Sequence, residues 1–184
     1  WDGVETAPAW RLSQWYSRYT LAGAARDPLP NGSVRFADAS KSLTFVLDQA
    51  TGAPAGMIAG LDAREEYGAR CPERGAPWPH MLLNQRFRAH PFVADLGSVR
   101  LRLRYRLVSA IADKRPGWSD RRHAAQFVMY LTVQNLKRAS PGYGDYVWFG
   151  IVLYDSRFPM PRGFAAPDLG SARKQASGKF IIQP

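Results

Sequence analysis

Acidic side chains are scarce in this sequence, 15 against 25 lysines and arginines, so the few that border apolar runs stand out as candidates for acid–base work. Hydrolysis of a glycosidic bond needs two facing carboxylates, about 5 Å apart for retention or wider for inversion. Glu66 sits beside Tyr67, just ahead of a long Pro-rich stretch, and Asp155 closes an apolar run; by position they make the best pair. Glu65 and Glu66 would point to opposite faces of a strand, so only one of them enters a cleft. The bland reading of these acids is an ion-pair role beside the many arginines, the usual fate of exposed carboxylates. Eliminative cleavage of an acidic sugar asks for other groups: a base for the proton beside the carboxylate, and donors that bond and neutralise that carboxylate. His123 and Tyr130 are the candidate bases, and Gln126, Gln134, Arg102 and Arg104 the candidate partners of the acid. A lone histidine is more often packed or solvated than catalytic.

These residues converge on the stretch from Ala124 to Asp155, where apolar and polar side chains alternate with period two on either side of Pro141, Gly142 and Gly144. That pattern predicts two strands joined by a loop. Phe127, Met129, Leu131 and Val133 form the apolar set of the first strand, and Val147, Phe149, Ile151 and Leu153 that of the second. With those sets in a core, the opposite face carries Gln126, Tyr130, Gln134, Tyr146, Trp148 and Tyr154. Flat rings beside amides suit a sugar: the ring takes the C–H side of a pyranose and the amides bond its hydroxyls. The alternative is that a second sheet or the tail covers this face and the rings are plain core.

Further short strands are predicted at Leu43–Leu47, Met57–Leu61, from Trp78 towards Phe87, at Val99–Val108 and at Phe180–Ile182. The opening stretch to Ala25 reads as mixed: as a strand it would put Trp10, Leu12, Gln14 and Tyr16 on one face, and a helix over Leu12–Ala24 is the alternative. In the Val99–Val108 run, Arg100, Arg102, Arg104 and Arg106 alternate with Val99, Leu101, Leu103, Tyr105 and Leu107. A row of like charges suits a solvated outer face or a guarded edge; the sharper reading is a groove for a polyanion. The tail from Ser156 to Gly178 is not readable. The length of 184 residues predicts one domain over 1–184, and many short strands among 16 glycines and 14 prolines predict an all-β, antiparallel β-sandwich of jelly-roll type.

This architecture, with the Gln/Tyr/Trp face in Gln126–Gln134 and Tyr146–Tyr154, resembles the carbohydrate-active jelly-roll group of concanavalin-like glycanases, polysaccharide lyases and carbohydrate-binding modules. The likeness is one of pattern over about the C-terminal two thirds. The Glu-x-Asp-x-x-Glu strand of one glycanase group is absent, and Val133-Gln134-Asn135 is not the Gln-Ile-His motif of one alginate-lyase group, so no catalytic residue is carried over. The resemblance implies glycan bound across a concave sheet, with a cleaving enzyme expected ahead of a non-catalytic binding module. Nucleic acid is the third class: net charge +10 attracts any polyanion, yet no nucleic-acid-binding motif is present.

The single cysteine, Cys71, excludes an intrachain disulfide and zinc-finger-type sites. His80, His90 and His123 lack the spacing of a metal pair, so no metal or cofactor is expected, a structural Ca²⁺ held by loop oxygens being invisible in sequence. No apolar run reaches the length of a membrane span. The start at Trp1 reads as a processed or trimmed product, and a secreted or periplasmic location is expected.

Overall fold

A computed structural model describes residues 10–85, 91–160, 162–170 and 177–183. Among them 37% are in strands and 5% in helix, so the chain is all-β with mainly antiparallel pairing, consistent with a β-sandwich. The chain divides into two compact units, Trp1–Gly68 with Trp78–Tyr105, and Ala69–Pro77 with Arg106–Pro184.

In the first unit β1 (Trp10–Trp15) pairs antiparallel with β6 (His80–Gln85), which settles the Trp10 region as strand. Trp15 stacks on His80 across that pair with ring centroids 4.9 Å apart. A four-stranded antiparallel sheet runs in the order β2 (Asp27–Pro28), β3 (Val34–Ala37), β4 (Lys41–Leu47), β5 (Pro54–Leu61). Leu43 on β4 and Leu21 are the buried apolar side chains among the described residues. After β5 the chain enters a one-turn helix, α1 (Ala63–Tyr67), whose start is capped by the Asp62 carboxylate accepting from the Arg64 amide. Glu65 and Glu66 therefore sit on a helical turn, and the opposed-face reading drawn from a strand does not apply to them.

The second unit holds a sheet in the order β7 (Gln126–Gln134), β8 (Tyr146–Asp155), β10 (Phe180–Gln183), β9 (Phe164–Pro167). β7 and β8 form the expected hairpin, closed by Asn135 N–H to the Asp145 carbonyl and Gly144 N–H to the Asn135 carbonyl. Gly142 and Gly144 have φ of 80° and 86°, the left-handed region that glycine enters without penalty. β10 runs parallel to β8 and antiparallel to β9. β9 lies in the unreadable tail. A parallel pair departs from the purely antiparallel order of a jelly roll, and the pairings do not spell out that winding.

The Val99–Val108 run forms no strand: residues 97–112 have no regular structure, every one of them is exposed, and none makes a backbone hydrogen bond among the described residues. Alternation predicts a strand only where a neighbouring edge accepts its backbone groups, and none does among the described residues.

Candidate functional site

The expected sugar face was placed on the β7–β8 hairpin, and the register of that hairpin decides how much of it assembles. Gln134 faces Tyr146, Thr132 faces Trp148 and Tyr130 faces Gly150, so these side chains share one side. Trp148 lies against Tyr146 at 5.3 Å and against Tyr130 at 5.8 Å between ring centroids, giving a row of three aromatic rings. Gly150 explains the close fit of Tyr130: a Cβ there would come within 2.5 Å of the Tyr130 Cε1. The bare glycine gives the ring its place on the strand.

The set does not extend to its two outer members together. A bulge lies between Phe127 and Val128, so that Val128 faces Val152 but Phe127 faces Tyr154 and Gln126 faces Asp155. Consecutive pairs point to opposite sides, which separates Gln126 from Tyr154. Tyr154 instead contacts the Phe127 ring at 5.9 Å. Gln126 Nε2 donates to Asp155 Oδ2 at 2.7 Å.

The expected sidedness is also altered. Tyr130, Tyr146 and Trp148 are half-buried and Gly150 is buried, while the apolar set meant for the core is more open, Phe149 being 41% and Ile151 47% exposed. On the strand next to β8, β10 adds a residue that the sequence pattern did not point to. Gln183 is buried, its Nε2 donates to the Tyr130 hydroxyl at 3.0 Å, and its Oε1 has no partner among the described residues. The short apolar run Phe180–Ile182 was the available signal for β10, and the parallel pairing that sets Ile181 opposite Trp148 was not readable. Burial raises the Tyr130 hydroxyl above its ordinary pKa, the Gln183 bond opposes this, and the charge of Asp168 adds to it. Tyr130 thus keeps its proton at neutral pH, suiting donation to a ligand oxygen better than proton abstraction.

The other rim of the row carries charge. Lys179 Nζ lies 5.5 Å from the centre of the Tyr146 ring and 2.6 Å from Asp145 Oδ1. Gln134 Nε2 donates to the Gly144 carbonyl at 3.3 Å, a weak tether that leaves its oxygen for other donors.

The remaining candidates are engaged elsewhere. Asp155, 4% exposed, takes Arg157 Nη2 at 2.6 Å, Arg157 Nε and the Arg157 amide at 2.9 Å each, and Gln126. Its pKa is lowered to about 2, chiefly by the Arg157 hydrogen bonds, against the cost of burial. His123 has both ring nitrogens occupied: Nδ1 accepts from the Ser119 amide at 2.7 Å and Nε2 lies 2.9 Å from the Pro72 carbonyl, to which it donates. Pro72 and Arg122 help line a hollow of about 700 Å³ with Arg70, Cys71, Glu73 and Gly117, none of them on the sheet. Arg102 and Arg104 lie in the exposed irregular segment.

Glu66 belongs to the first unit, where its side chain is 2% exposed and that of Lys41 is fully covered. Lys41 Nζ donates to Glu66 Oε1 at 2.5 Å, to the Tyr19 carbonyl at 2.6 Å and to Ser40 Oγ at 2.9 Å. Ser40 Oγ and the Arg18 amide also donate to this carboxylate. Burial pushes the Glu66 carboxyl up, but the bonds from Lys41, Ser40 and Arg18 outweigh it and hold the pKa below the usual value. The neighbouring Tyr67 is pushed up to about 12 by burial and by the Glu66 charge.

No cluster of three or more potential metal ligands is found among the described residues, and no helix there is long and apolar enough to cross a membrane. No protein-family model matches the chain, and neither the curated proteins nor the solved structures give a significant match.

Proposed function

We propose that this chain engages polysaccharide on the β7–β8–β10 face, with Tyr146, Trp148 and Tyr130 as the stacking row and Gln134 as the amide beside it. The row in which Tyr130 and Tyr146 each lie within 6 Å of Trp148, half-buried and edged by Lys179, supports this reading. Ring faces take the apolar side of a sugar, and amide and hydroxyl groups bond its oxygens. Binding ranks ahead of cleavage here. Glu66, Asp155 and His123 spend their polar atoms on partners within the protein. A cleaving activity, as hydrolase or lyase, is the second reading; Tyr130 is the one candidate of that chemistry that belongs to the ring row, and its raised pKa weighs against a role as base. No cofactor enters either reading, and a role on polysaccharide fits a secreted or periplasmic protein.

The test is Trp148→Ala in a titration of soluble glycans. Affinity falls about tenfold if Trp148 stacks on the sugar. Unchanged affinity would remove the ring row from the site.

A further inference from the structure

The exposed segment 97–112 contains Arg100, Arg102, Arg104 and Arg106 and no acidic residue; the nearest carboxylates along the chain are Asp95 and Asp113. None of the four arginines makes an ion pair, hydrogen bond or cation–π contact among the described residues. Elsewhere the pattern differs: Arg64, Arg115 and Arg157 each hold a carboxylate two residues away. Four guanidiniums within seven residues, all exposed and none neutralised among the described residues, are a cost in self-repulsion that an anionic partner relieves.

From this we infer that residues 99–106 form a docking strip for an anionic polysaccharide, one carrying a carboxylate or sulfate at regular intervals. The inference rests on the polysaccharide reading and names the class of glycan. At full stretch the chain spans at most about 3.5 Å per residue, so the first and last of these arginines lie no more than about 21 Å apart along it. Arginines at every second position of one exposed, unbonded segment can each meet an acid group of a polymer whose charges recur along its length, each guanidinium forking onto a carboxylate or sulfate.

Two other polyanions fit less well. Single-stranded nucleic acid is held by rings that stack on successive bases, whereas the residues between these arginines are Leu101, Leu103 and Tyr105, with one ring among three. An anionic lipid surface would draw the segment towards the acyl boundary, where its backbone groups, unpaired among the described residues, would lose water.

The experiment compares R100Q/R102Q/R104Q/R106Q with the charge-matched control R26Q/R74Q/R121Q/R138Q, whose four arginines are also exposed. Probes are polygalacturonate, neutral dextran, oligothymidylate and phosphatidylglycerol vesicles, with affinity measured at several salt concentrations. Each exposed charge pair is worth about twofold in affinity, so the strip variant should bind polygalacturonate roughly sixteenfold more weakly and with a shallower salt dependence. The control should change much less. Equal losses in both variants would overturn the strip in favour of net charge alone. Tighter binding of oligothymidylate or vesicles than of polygalacturonate would overturn it in favour of that partner. Binding of dextran without polygalacturonate would overturn the anionic class and leave the ring-row reading standing. Binding of neither glycan would remove both.

Discussion

Glu66 and Asp155 show how far a residue's type constrains its role. Both are buried carboxylates held ionised, and in each case the partner fixes the outcome. Asp155 finds Arg157 two residues on, a local pairing that the sequence displays. Glu66 finds Lys41, 25 residues away, and nothing in its own neighbourhood announces that. Removing one member of such a buried pair leaves the other charge uncompensated. Glu66→Gln should therefore lower unfolding free energy by about 3 kcal/mol, measured by urea denaturation, while the double variant K41M/E66L should recover much of the loss. A small effect of E66Q would mean that the pair opens to water. For Asp155 the folded pKa lies below the unfolded value, so its contribution is present above about pH 4 and is lost as pH falls towards 2. The lowering corresponds to about 2 kcal/mol at neutral pH. Asp155→Asn should forfeit most of that at pH 7 and flatten the stability profile between pH 4 and 2.

Strands were the most legible level of the structure. Period-two alternation located the later β7–β8 hairpin, and short apolar runs located most of β4, β5 and β10. Three things escaped it, each for a physical reason. The extra residue that makes the β7–β8 bulge leaves no mark on either strand's alternation, yet it separates Gln126 from Tyr154. β3 and β9 are four residues each, too short for a periodic signal. Residues 99–108 carry the clearest alternation in the chain and form no strand, because a strand needs an edge to bond with. Gly150 is the element-level detail with the sharpest consequence. Gly150→Ala places a methyl group into the Tyr130 ring and against the Met129 carbonyl, 2.9 Å away. Overpacking of this kind costs about 1–3 kcal/mol, and thermal unfolding should report it. If the rings form the site, G150A should also weaken glycan binding, because it displaces Tyr130 from Trp148.

Composition set the outline of the whole molecule: an all-β chain, positive by 10 charges, with one cysteine. It does not show how the two units divide, because each is built from two separate stretches of sequence. The segment 97–112 includes one of the three points where the chain passes between units, and it is exposed and without backbone hydrogen bonds among the described residues. Limited trypsin digestion should cut first at Arg100–Arg106, since exposed, unbonded backbone is what a protease grips. Early cuts elsewhere, with this segment intact, would show that it is held by contacts. A saturating anionic glycan should slow those cuts if the arginine strip is its docking surface.

The central claim is that the Tyr130–Trp148–Tyr146 row meets a sugar. Its most direct test is tryptophan fluorescence of the native chain and of Trp148→Phe across a panel of neutral and acidic glycans, with reducing ends and unsaturated uronate followed in parallel. The account predicts a saturable change with at least one glycan, and loss of most of that change in W148F. New reducing ends alone would add hydrolysis, and both products together would add elimination. A panel with no fluorescence change, or a change fully retained in W148F, would contradict the claim.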